Sequence, residues 1–255
     1  MYKFLPSKIS PKRAITIVVH GLNNPPFVMM KLGQFLSQYG SDVVLVGLTG
    51  HQNDYEKLKT ATPENLINDI KEAYDFAQQF RSKENGIPLH FVGFSLGGLT
   101  NLAFLAAFPE ATYDKMLLFA PANTLRWKAT LLKKMFFLGD KMLIPSFGIK
   151  KYKSYKVMPL KIYKTLIGLK EQLEKANYRN TNQKTLLIID PKDEVVSYEQ
   201  HTQNISKYAL DNWEIYPLKS EFIVKYHHLI ISKETMGERN WNPLTVKMVQ
   251  FLALN

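Results

Sequence analysis

A short glycine-rich turn between an apolar strand and an apolar helix constrains the fold of this chain more than any other stretch. Residues 87–92 form an apolar run of strand length, and the pentapeptide GFSLG at residues 93–97 separates it from an Ala-rich helical segment. The two glycines, Gly93 and Gly97, let neighbouring backbone approach closely, and the turn raises the Ser95 hydroxyl above the edge of a sheet. A structural turn with an idle serine is the alternative, and the rest of the chain has to decide between them.

Strand-like and helix-like segments alternate over much of the chain. The segments that predict strands are 14–19, 42–48, 87–92, 116–120, 184–190 and 213–217. Amphipathic segments lie between several of them, and Thr62 followed by Pro63 is a helix-start signal. We expect the polar residues 49–61 to be irregular and residues 244–254 to form the last helix. Because β-branched apolar runs are typical of strands buried on both faces, we expect an α/β fold with a mostly parallel central sheet and helices on both faces.

A segment in the second half of the chain breaks this alternation. Residues 123–182 are helix-like and rich in aromatic and basic side chains. From residue 124 to residue 184 the chain carries 15 Lys and Arg but three Asp and Glu, while the whole chain has a net charge of +11. The excess of positive charge therefore lies in this segment. We expect residues 1–122 and 183–255 to form the core and residues 123–182 to be inserted as a helical, basic cap or lid.

Two loops downstream of Ser95 offer the partners that a reactive serine needs. A serine hydroxyl becomes a nucleophile when a base lies within hydrogen-bond reach and an acid orients that base. In this strand–turn–helix setting, the acid and then the histidine follow the serine along the chain. Asp193 follows the predicted strand 184–190, and His228 precedes an apolar run near the last helix. The sequence predicts Ser95, Asp193 and His228 as nucleophile, acid and base, with His227 as the alternative base.

The other acidic and histidine side chains have weaker claims to these roles. Asp190 precedes a proline and is typical of a turn, and we expect Glu194 to point the other way along the loop. His90 lies inside a predicted strand, where a histidine with satisfied hydrogen bonds is the usual finding. We expect His51 and His201 to lie in polar surroundings.

Acyl transfer also needs hydrogen-bond donors for the developing oxyanion. The backbone N–H of Leu96, directly after the serine, is one candidate. The loop His20-Gly21-Leu22 after the first long strand offers the N–H of Leu22 as the second. Together these positions predict an oxyanion hole formed by the backbone of Leu22 and Leu96.

With these motifs, the chain resembles the α/β-hydrolase superfamily, and within it the small bacterial carboxylesterases and monoacylglycerol lipases with a short cap. The motifs that carry the resemblance are residues 20–22, the turn at 93–98 with its extra glycine, residues 190–196 and residues 228–231. The chain departs from that family at His227, where a small residue is usual, and in a long apolar loop at 220–226. We expect the first two strands of the full fold to be missing or reduced to one edge strand around residues 2–5. The resemblance implies hydrolysis of carboxylic esters through an acyl-serine intermediate, with no cofactor and no metal.

Composition and charge bear on the partners and the location of the protein. The chain has no cysteine, which excludes disulfides and thiolate metal sites. We see no signal peptide and no apolar stretch that could span a membrane, so a cytoplasmic location is the expectation. The basic segment favours transient contact with an anionic membrane surface, unless its lysines are only a solvated face. Nucleic acid fits the charge, but no recognition motif supports it.

The function predicted from the sequence is hydrolysis of a small-molecule carboxylic ester, with an apolar acyl chain, by a serine hydrolase. A thioesterase, an amidase or a peptidase with the same three residues is the first alternative. A non-catalytic binding module with an α/β-hydrolase fold is the second.

Overall fold

The computed structural model describes residues 2–84, 86–126, 131–146, 148–219 and 226–254, with residues 131 and 132 described by their backbone. The strands in these ranges are β1 (Tyr2–Leu5), β2 (Ala14–Val19), β3 (Ser41–Val46), β4 (Leu89–Phe94), β5 (Lys115–Phe119), β6 (Leu143–Pro145), β7 (Val157–Pro159), β8 (Thr185–Ile189) and β9 (Trp213–Pro217). The α-helices are α1 (Met30–Gln38), α2 (Tyr55–Thr60), α3 (Pro63–Lys83), α4 (Leu96–Ala107), α5 (Leu160–Lys175), α6 (Tyr198–Lys207), α7 (Lys233–Met236) and α8 (Glu238–Leu252). Short 3₁₀ helices occupy Pro26–Met29, Leu131–Leu138 and Lys150–Tyr152.

The central sheet of the described chain has seven strands in the order β1-β3-β2-β4-β5-β8-β9. Neighbouring strands are parallel except at one edge, where β1 pairs antiparallel with β3. Strands β2, β3, β4 and β8 are buried at every residue, because helices and loops cover both faces of the sheet. The predicted α/β class with a mostly parallel sheet is confirmed, as is the single edge strand at residues 2–5.

Helices α3 and α4 pack against each other and against the centre of the sheet, and α5 packs on α4. Helix α1 contacts β3 and meets α8, where the rings of Phe35 and Trp241 lie 6.1 Å apart. The predicted start of α3 is confirmed: the Thr62 hydroxyl accepts the Asn65 N–H, and the Asn65 side-chain oxygen accepts the Thr62 N–H. This reciprocal cap satisfies two donors that a helix start leaves open.

The inserted segment between β5 and β8 is less helical than the sequence suggested. Helix α5 is present, but β6 and β7 form a small antiparallel ribbon that precedes it. The prediction of a helical insertion is wrong for this ribbon, because each of its strands ends in a proline, which keeps the preceding Ile144 and Met158 extended. Trp127 and Lys128, two of the residues that marked the segment in the sequence, lie outside the described residues.

Two smaller differences have local causes. Residues 49–61, expected to be irregular, contain α2, whose start is capped by the Asp54 carboxylate on the Lys57 N–H. Helix α8 begins at Glu238 and passes through Pro243, whereas the sequence placed its start after that proline. Across the described ranges, none of the helices combines the length and the apolar character needed to cross a lipid bilayer.

Candidate active site

The turn between β4 and α4 holds Ser95 in a strained backbone conformation. Its φ and ψ angles are 50° and −112°, outside the regions that L-residues prefer. Neighbouring backbone fixes this conformation: the Ser95 N–H donates to the Phe119 carbonyl at 2.9 Å, and the Ser95 carbonyl accepts the Ala122 N–H at 3.0 Å. Strain that the surrounding structure enforces in this way is typical of functional sites.

The two glycines of the turn are required by close packing. A Cβ atom at Gly97 would lie 2.6 Å from the His20 carbonyl oxygen, and one at Gly93 would lie 2.6 Å from the Phe91 ring. Both contacts are too short for real atoms. Glycine at position 97 lets the serine turn approach the loop after β2, and glycine at position 93 leaves room for the Phe91 ring and the Gly98 backbone. The elbow therefore fixes where Ser95 stands relative to the loop that carries Leu22.

The fold brings Ser95, His228 and Asp193 into one hydrogen-bonded chain, from three loops distant in sequence. His228 Nε2 lies 2.9 Å from Ser95 Oγ, and His228 Nδ1 lies 2.8 Å from Asp193 Oδ2. Since a carboxylate accepts, Nδ1–H donates to Asp193 and Nε2 is left to accept the serine proton. The side chain of Asp193 is completely buried, and its Oδ1 accepts the N–H groups of Val195 and Val196 at 2.7 and 2.9 Å.

The charge state of Asp193 suits an orienting role. Burial by itself raises the pKa of this carboxyl, but the neighbouring His228 and the backbone donors outweigh burial, so its pKa lies below the usual value. Asp193 is therefore ionised at neutral pH. An ionised carboxylate on Nδ1 would stabilise an imidazolium if the His228 ring took up a proton.

The alternative base, His227, is held by a different carboxylate. Its Nδ1 lies 2.6 Å from Asp190 Oδ2, and its backbone N–H donates to Glu194 Oε2 at 3.0 Å. Asp190 Oδ1 also accepts the Lys192 N–H at 2.8 Å, as expected of a turn residue. The structure thus places the His228 ring against Ser95, whereas His227 contacts the loop that carries Asp193.

Glu194 corrects one expectation, because it does not point away from the site. It lines the cavity above Ser95 and accepts the His227 N–H. The reason lies in the loop itself: the bonds from Val195 and Val196 to Asp193 fold residues 193–196 into a tight turn. This turn brings Glu194 back towards the histidine loop, which the sequence order alone could not indicate.

The loop after β2 is fixed from below by a buried histidine. His20 Nε2 accepts the Leu48 N–H at 3.1 Å, so Nδ1–H donates to the Gly21 carbonyl at 2.8 Å. Burial lowers the pKa of His20 to about 3, which keeps the ring neutral and this tautomer in place. Leu22 then lines the cavity, and Leu96 begins α4 with an N–H that the helix itself leaves unused.

The same loop is bonded to the inserted segment, a feature that the sequence reasoning missed. The Asn23 side chain donates to the Tyr155 carbonyl and accepts the Tyr155 N–H, both at 2.9 Å. The Asn23 carbonyl accepts the Ser154 N–H at 2.8 Å, and the Asn24 amide donates to the Tyr152 carbonyl at 2.7 Å. Asn23 has a φ of 56°, which asparagine tolerates well. The two adjacent asparagines were the only available signal.

A cavity of about 560 Å³ lies above Ser95, between the core and the inserted segment. Most of its wall is apolar, and the core and the inserted segment both contribute. The side chains that line it include Leu22, Phe94, Leu125, Ile149, Leu166, Val195 and Leu229, with Lys153, Tyr163, Glu194 and Tyr226 among the polar ones. Such a mostly apolar cavity with a few polar groups suits a small organic ligand. In the described ranges no group of three or more His, Cys, Asp or Glu is arranged to hold a metal ion.

The remaining histidines lie in the core. His90 is a core histidine whose Nε2 lies 3.1 Å from the Leu252 carbonyl oxygen, but its buried Nδ1 has no hydrogen-bond partner among the described residues, so its hydrogen bonds are satisfied only in part. The expectation of polar surroundings for His51 and His201 is wrong, because both are buried and burial lowers the pKa of each to about 4. Polar neighbours in sequence misled here, since on α6 His201 is the buried residue of an otherwise accessible helix.

Comparison with protein families agrees with this architecture. Residues 10–159 match the model of the Hydrolase_4 family, described as serine aminopeptidase, S33. The match covers more than half of the chain, and the chain therefore belongs to this family of α/β-hydrolases. No curated protein matches it significantly.

Solved structures share the whole fold at low sequence identity. A structure described with the metagenome-derived lipolytic enzymes LipS and LipT has a TM-score of 0.78 at 19% identity, with 100% of this chain and 97% of that chain covered. A soluble variant of monoglyceride lipase from Saccharomyces cerevisiae, bound to a substrate analog, gives 0.80 at 14% identity, with coverages of 98% and 90%. The monoacylglycerol lipase of Paleococcus ferrophilus gives 0.72 at 17% identity, with coverages of 100% and 99%. At these identities the likeness establishes the α/β-hydrolase fold.

Proposed function

We propose that the protein hydrolyses carboxylic esters through an acyl-serine intermediate, with Ser95, His228 and Asp193 as nucleophile, base and orienting acid. One observation carries the proposal: an unbroken hydrogen-bonded chain from the buried Asp193 through His228 to Ser95. It ends at the floor of a largely apolar cavity. An idle serine on a structural turn would need no such chain.

The proposed reaction follows from this geometry. His228 Nε2 takes the Ser95 proton as Oγ attacks the ester carbonyl, and the backbone N–H groups of Leu22 and Leu96 receive the negative charge of the carbonyl oxygen. The imidazolium, held by the Asp193 carboxylate, returns the proton to the leaving alcohol. Water, activated by the same base, then attacks the acyl-serine and releases the acid. No cofactor takes part.

The preference for an ester with an apolar acyl chain rests on the character of the cavity wall. Apolar side chains from the core and from the inserted segment can bury an acyl chain beside Ser95. Two of the similar structures are, by their descriptions, monoglyceride or monoacylglycerol lipases. The family description names an aminopeptidase, so amide substrates form the second candidate class.

We further propose that residues 123–182 act as a cap that selects substrates. This segment supplies the wall of the cavity opposite the nucleophile, through residues such as Ile149, Tyr152 and Leu166. The hydrogen bonds of Asn23 and Asn24 hold it over the site. Cap closure of this kind also limits the access of water to the reacting ester.

The outer face of this proposed cap suits contact with an anionic membrane surface. Phe137 is 83% exposed, and Leu143 and Val157 are half exposed on the outer side of the β6–β7 ribbon. Exposed lysines accompany them, including Lys141 and Lys156. Apolar side chains among cations match the acyl boundary and the head groups of anionic lipids. Vesicles with anionic lipid should bind the protein more tightly than neutral vesicles, and equal binding would contradict the contact.

The central experiment measures ester hydrolysis and covalent labelling together. The protein should release p-nitrophenol from short-chain esters and react with a fluorophosphonate probe, and Ser95→Ala should lose both while staying folded. Ser82→Ala changes an exposed serine and serves as the control that should retain both. A panel of ester, thioester and amide substrates separates the enzyme alternatives. If the folded protein is not labelled at Ser95 by the fluorophosphonate probe, the result favours the non-catalytic binding module.

A further inference from the structure

One cation in the wall of the cavity has no acidic partner among the residues that the structure describes. Lys153 lines the cavity together with Ser95 and is half buried. Its Nζ donates to the Ser146 carbonyl at 2.7 Å. Among the ion pairs of the described residues, none includes Lys153, and the acceptor that holds its ammonium is this neutral carbonyl. A partly desolvated ammonium gains from a counter-charge at close range.

The position of Lys153 is fixed on both sides by the loop after β2. The carbonyl of Tyr152, the residue before it, accepts the Asn24 amide, and the N–H of Ser154, the residue after it, donates to the Asn23 carbonyl. The lysine therefore sits on backbone that is tied to the same loop as the proposed oxyanion donor. Its distance from the reacting carbon is set by hydrogen bonds and not by a free loop.

The acceptor that holds the ammonium is also fixed. The Ser146 N–H donates to the Lys156 carbonyl at 3.0 Å, and the Ser146 hydroxyl donates to the Tyr155 carbonyl at 2.7 Å. Lys153 and Ser146 thus form one bonded unit with the backbone of Tyr155 and Lys156. A charged side chain held in this way offers a substrate a site prepared before binding.

The charges around this unit leave it positive. The three acids of the inserted segment are paired elsewhere: Asp140 with Lys161 and Lys164, Glu171 with Lys133, and Glu174 with Lys170. The exposed Lys150, Lys151 and Lys156 flank Lys153 in sequence. The rim of the cavity on this side should therefore attract anions.

Glu194 is the acidic residue that lines the same cavity, and it is bonded to the histidine loop and not to Lys153. Glu194 accepts the His227 N–H and is not within ion-pair distance of Lys153. Burial, followed by the charge of Asp193, raises the pKa of Glu194 above its usual value. Its carboxylate is directed at the histidine loop, where it accepts the His227 N–H.

We propose that Lys153 is the binding subsite for an anionic group on the substrate, so that the preferred esters carry a carboxylate or a phosphate away from the scissile bond. The proposal rests on the ester hydrolysis proposed above and adds a substrate class to it. The acyl or alcohol chain occupies the apolar wall, and the anion pairs with the ammonium. A carboxylate and a phosphate both present negatively charged oxygens to the ammonium. The experiment distinguishes a carboxylate on the acyl side of the ester from a phosphate on the alcohol side.

The first arm places a carboxylate on the acyl side. A series of mono-p-nitrophenyl half-esters, from succinate to sebacate, is compared with the same esters capped as primary amides. One chain length should be hydrolysed with a kcat/KM about tenfold or more above its amide-capped partner, since a charge-assisted bond is worth that much. The advantage should shrink as ionic strength rises.

The second arm places a phosphate on the alcohol side. Release of fatty acid from 1-acyl-glycerol 3-phosphate is compared with release from the matching 1-acyl-glycerol. A preference in this arm and none in the first identifies a phosphate-bearing alcohol, and the reverse identifies a dicarboxylic half-ester. Either result supports the subsite, and the absence of a preference in both arms overturns it.

Three variants assign the preference to Lys153. Lys153→Met should bring the ratio of kcat/KM for the anionic ester to kcat/KM for its neutral partner down to about one, and Lys153→Arg should keep most of the advantage. Lys151→Met removes the same charge from an exposed neighbour and should leave the selectivity unchanged. Equal losses on anionic and neutral esters in Lys153→Met would overturn the proposal. Failure of the wild type on every ester would instead overturn the proposed function itself.

Discussion

The floor and the roof of the cavity are built in different ways. The floor lies at the carboxyl ends of strands that are buried at every residue, and the Asp193 side chain beneath it is completely buried. The roof, within residues 123–182, has strands of three residues, short 3₁₀ turns and a Phe137 that is 83% exposed. All six histidines of the chain lie outside the roof, which is dominated by lysine. Dense burial fixes the side chains of the floor, whereas hydrogen bonds such as those of Asn23 and Asn24 position the roof above Ser95.

The largest effect should come from the floor. His228→Ala removes the base that touches Ser95 and should lower kcat on a neutral p-nitrophenyl ester by about 10³-fold or more. His227→Ala, its neighbour in the same loop, should lose about tenfold or less, because its ring bonds Asp190 and not Ser95. If kcat falls by a similar factor in the two variants, the assignment of His228 as the base is contradicted.

Lowering the pH should destabilise the floor before the roof, because the buried histidines lie in the floor. Burial lowers the pKa of His20 to about 3 and of His51, His90 and His201 to about 4. The unfolded chain therefore binds more protons than the folded one between about pH 6.5 and pH 4, so stability must fall as the pH falls through this window. Each histidine should contribute up to about 2 kcal/mol between pH 7 and pH 5.

Urea unfolding at several pH values measures this slope. His201→Leu removes one of the four groups and should flatten the dependence on pH, whatever it does to stability at pH 7. Hydrogen exchange at pH 5 should show the loss first in β4, which carries His90, and in the loop after β2, which His20 holds. A slope that stays the same in the variant would mean that other groups govern the acid response.

An intermediate effect should come from the contact between floor and roof. Asn23→Ala leaves the N–H and the carbonyl of Tyr155 without their partner and should cost about 1–2 kcal/mol of stability. Because the same residue follows Leu22, kcat on a neutral ester should fall about tenfold. The matched control is Asn180→Ala: Asn180 also has a positive φ and donates to backbone carbonyls, but it lies away from the cavity. It should lose stability and keep kcat, and a similar fall in kcat would contradict the coupling.

The smallest effect should come from the outer face of the roof. Phe137→Ser should change kcat/KM on a water-soluble ester by less than about twofold, because the side chain is exposed and does not line the cavity. The same variant should bind anionic vesicles measurably more weakly, as followed by co-sedimentation. A large loss on the soluble ester would show that the face of the roof and the site beneath it are not separable.

The floor was largely predictable from the sequence, and the contacts between floor and roof were not. Apolar β-branched runs placed the strands, and the order of serine, acid and histidine placed Ser95, Asp193 and His228 on neighbouring loops that the fold brings within hydrogen-bond distance. The bonds of Asn23 to Tyr155 join residues 132 positions apart, and no local pattern announces them. Likewise, the burial of His51 and His201 depends on packing partners from other elements. Periodicity records which face of an element is buried, but not what covers it.

The paired asparagines after β2 bear on how such an enzyme could be redesigned. Residues 123–182 leave the sheet after β5 and return to it at β8. On topology alone, this segment could be replaced by the corresponding segment of a related protein. The graft would nonetheless lose the backbone groups at 152, 154 and 155 that Asn23 and Asn24 engage. A chimera that transfers the loop at residues 20–26 together with the cap should keep its turnover, whereas a cap transferred alone should not. Substrate preference then depends on two segments that are distant in sequence, residues 20–26 and residues 123–182, and both must be exchanged together.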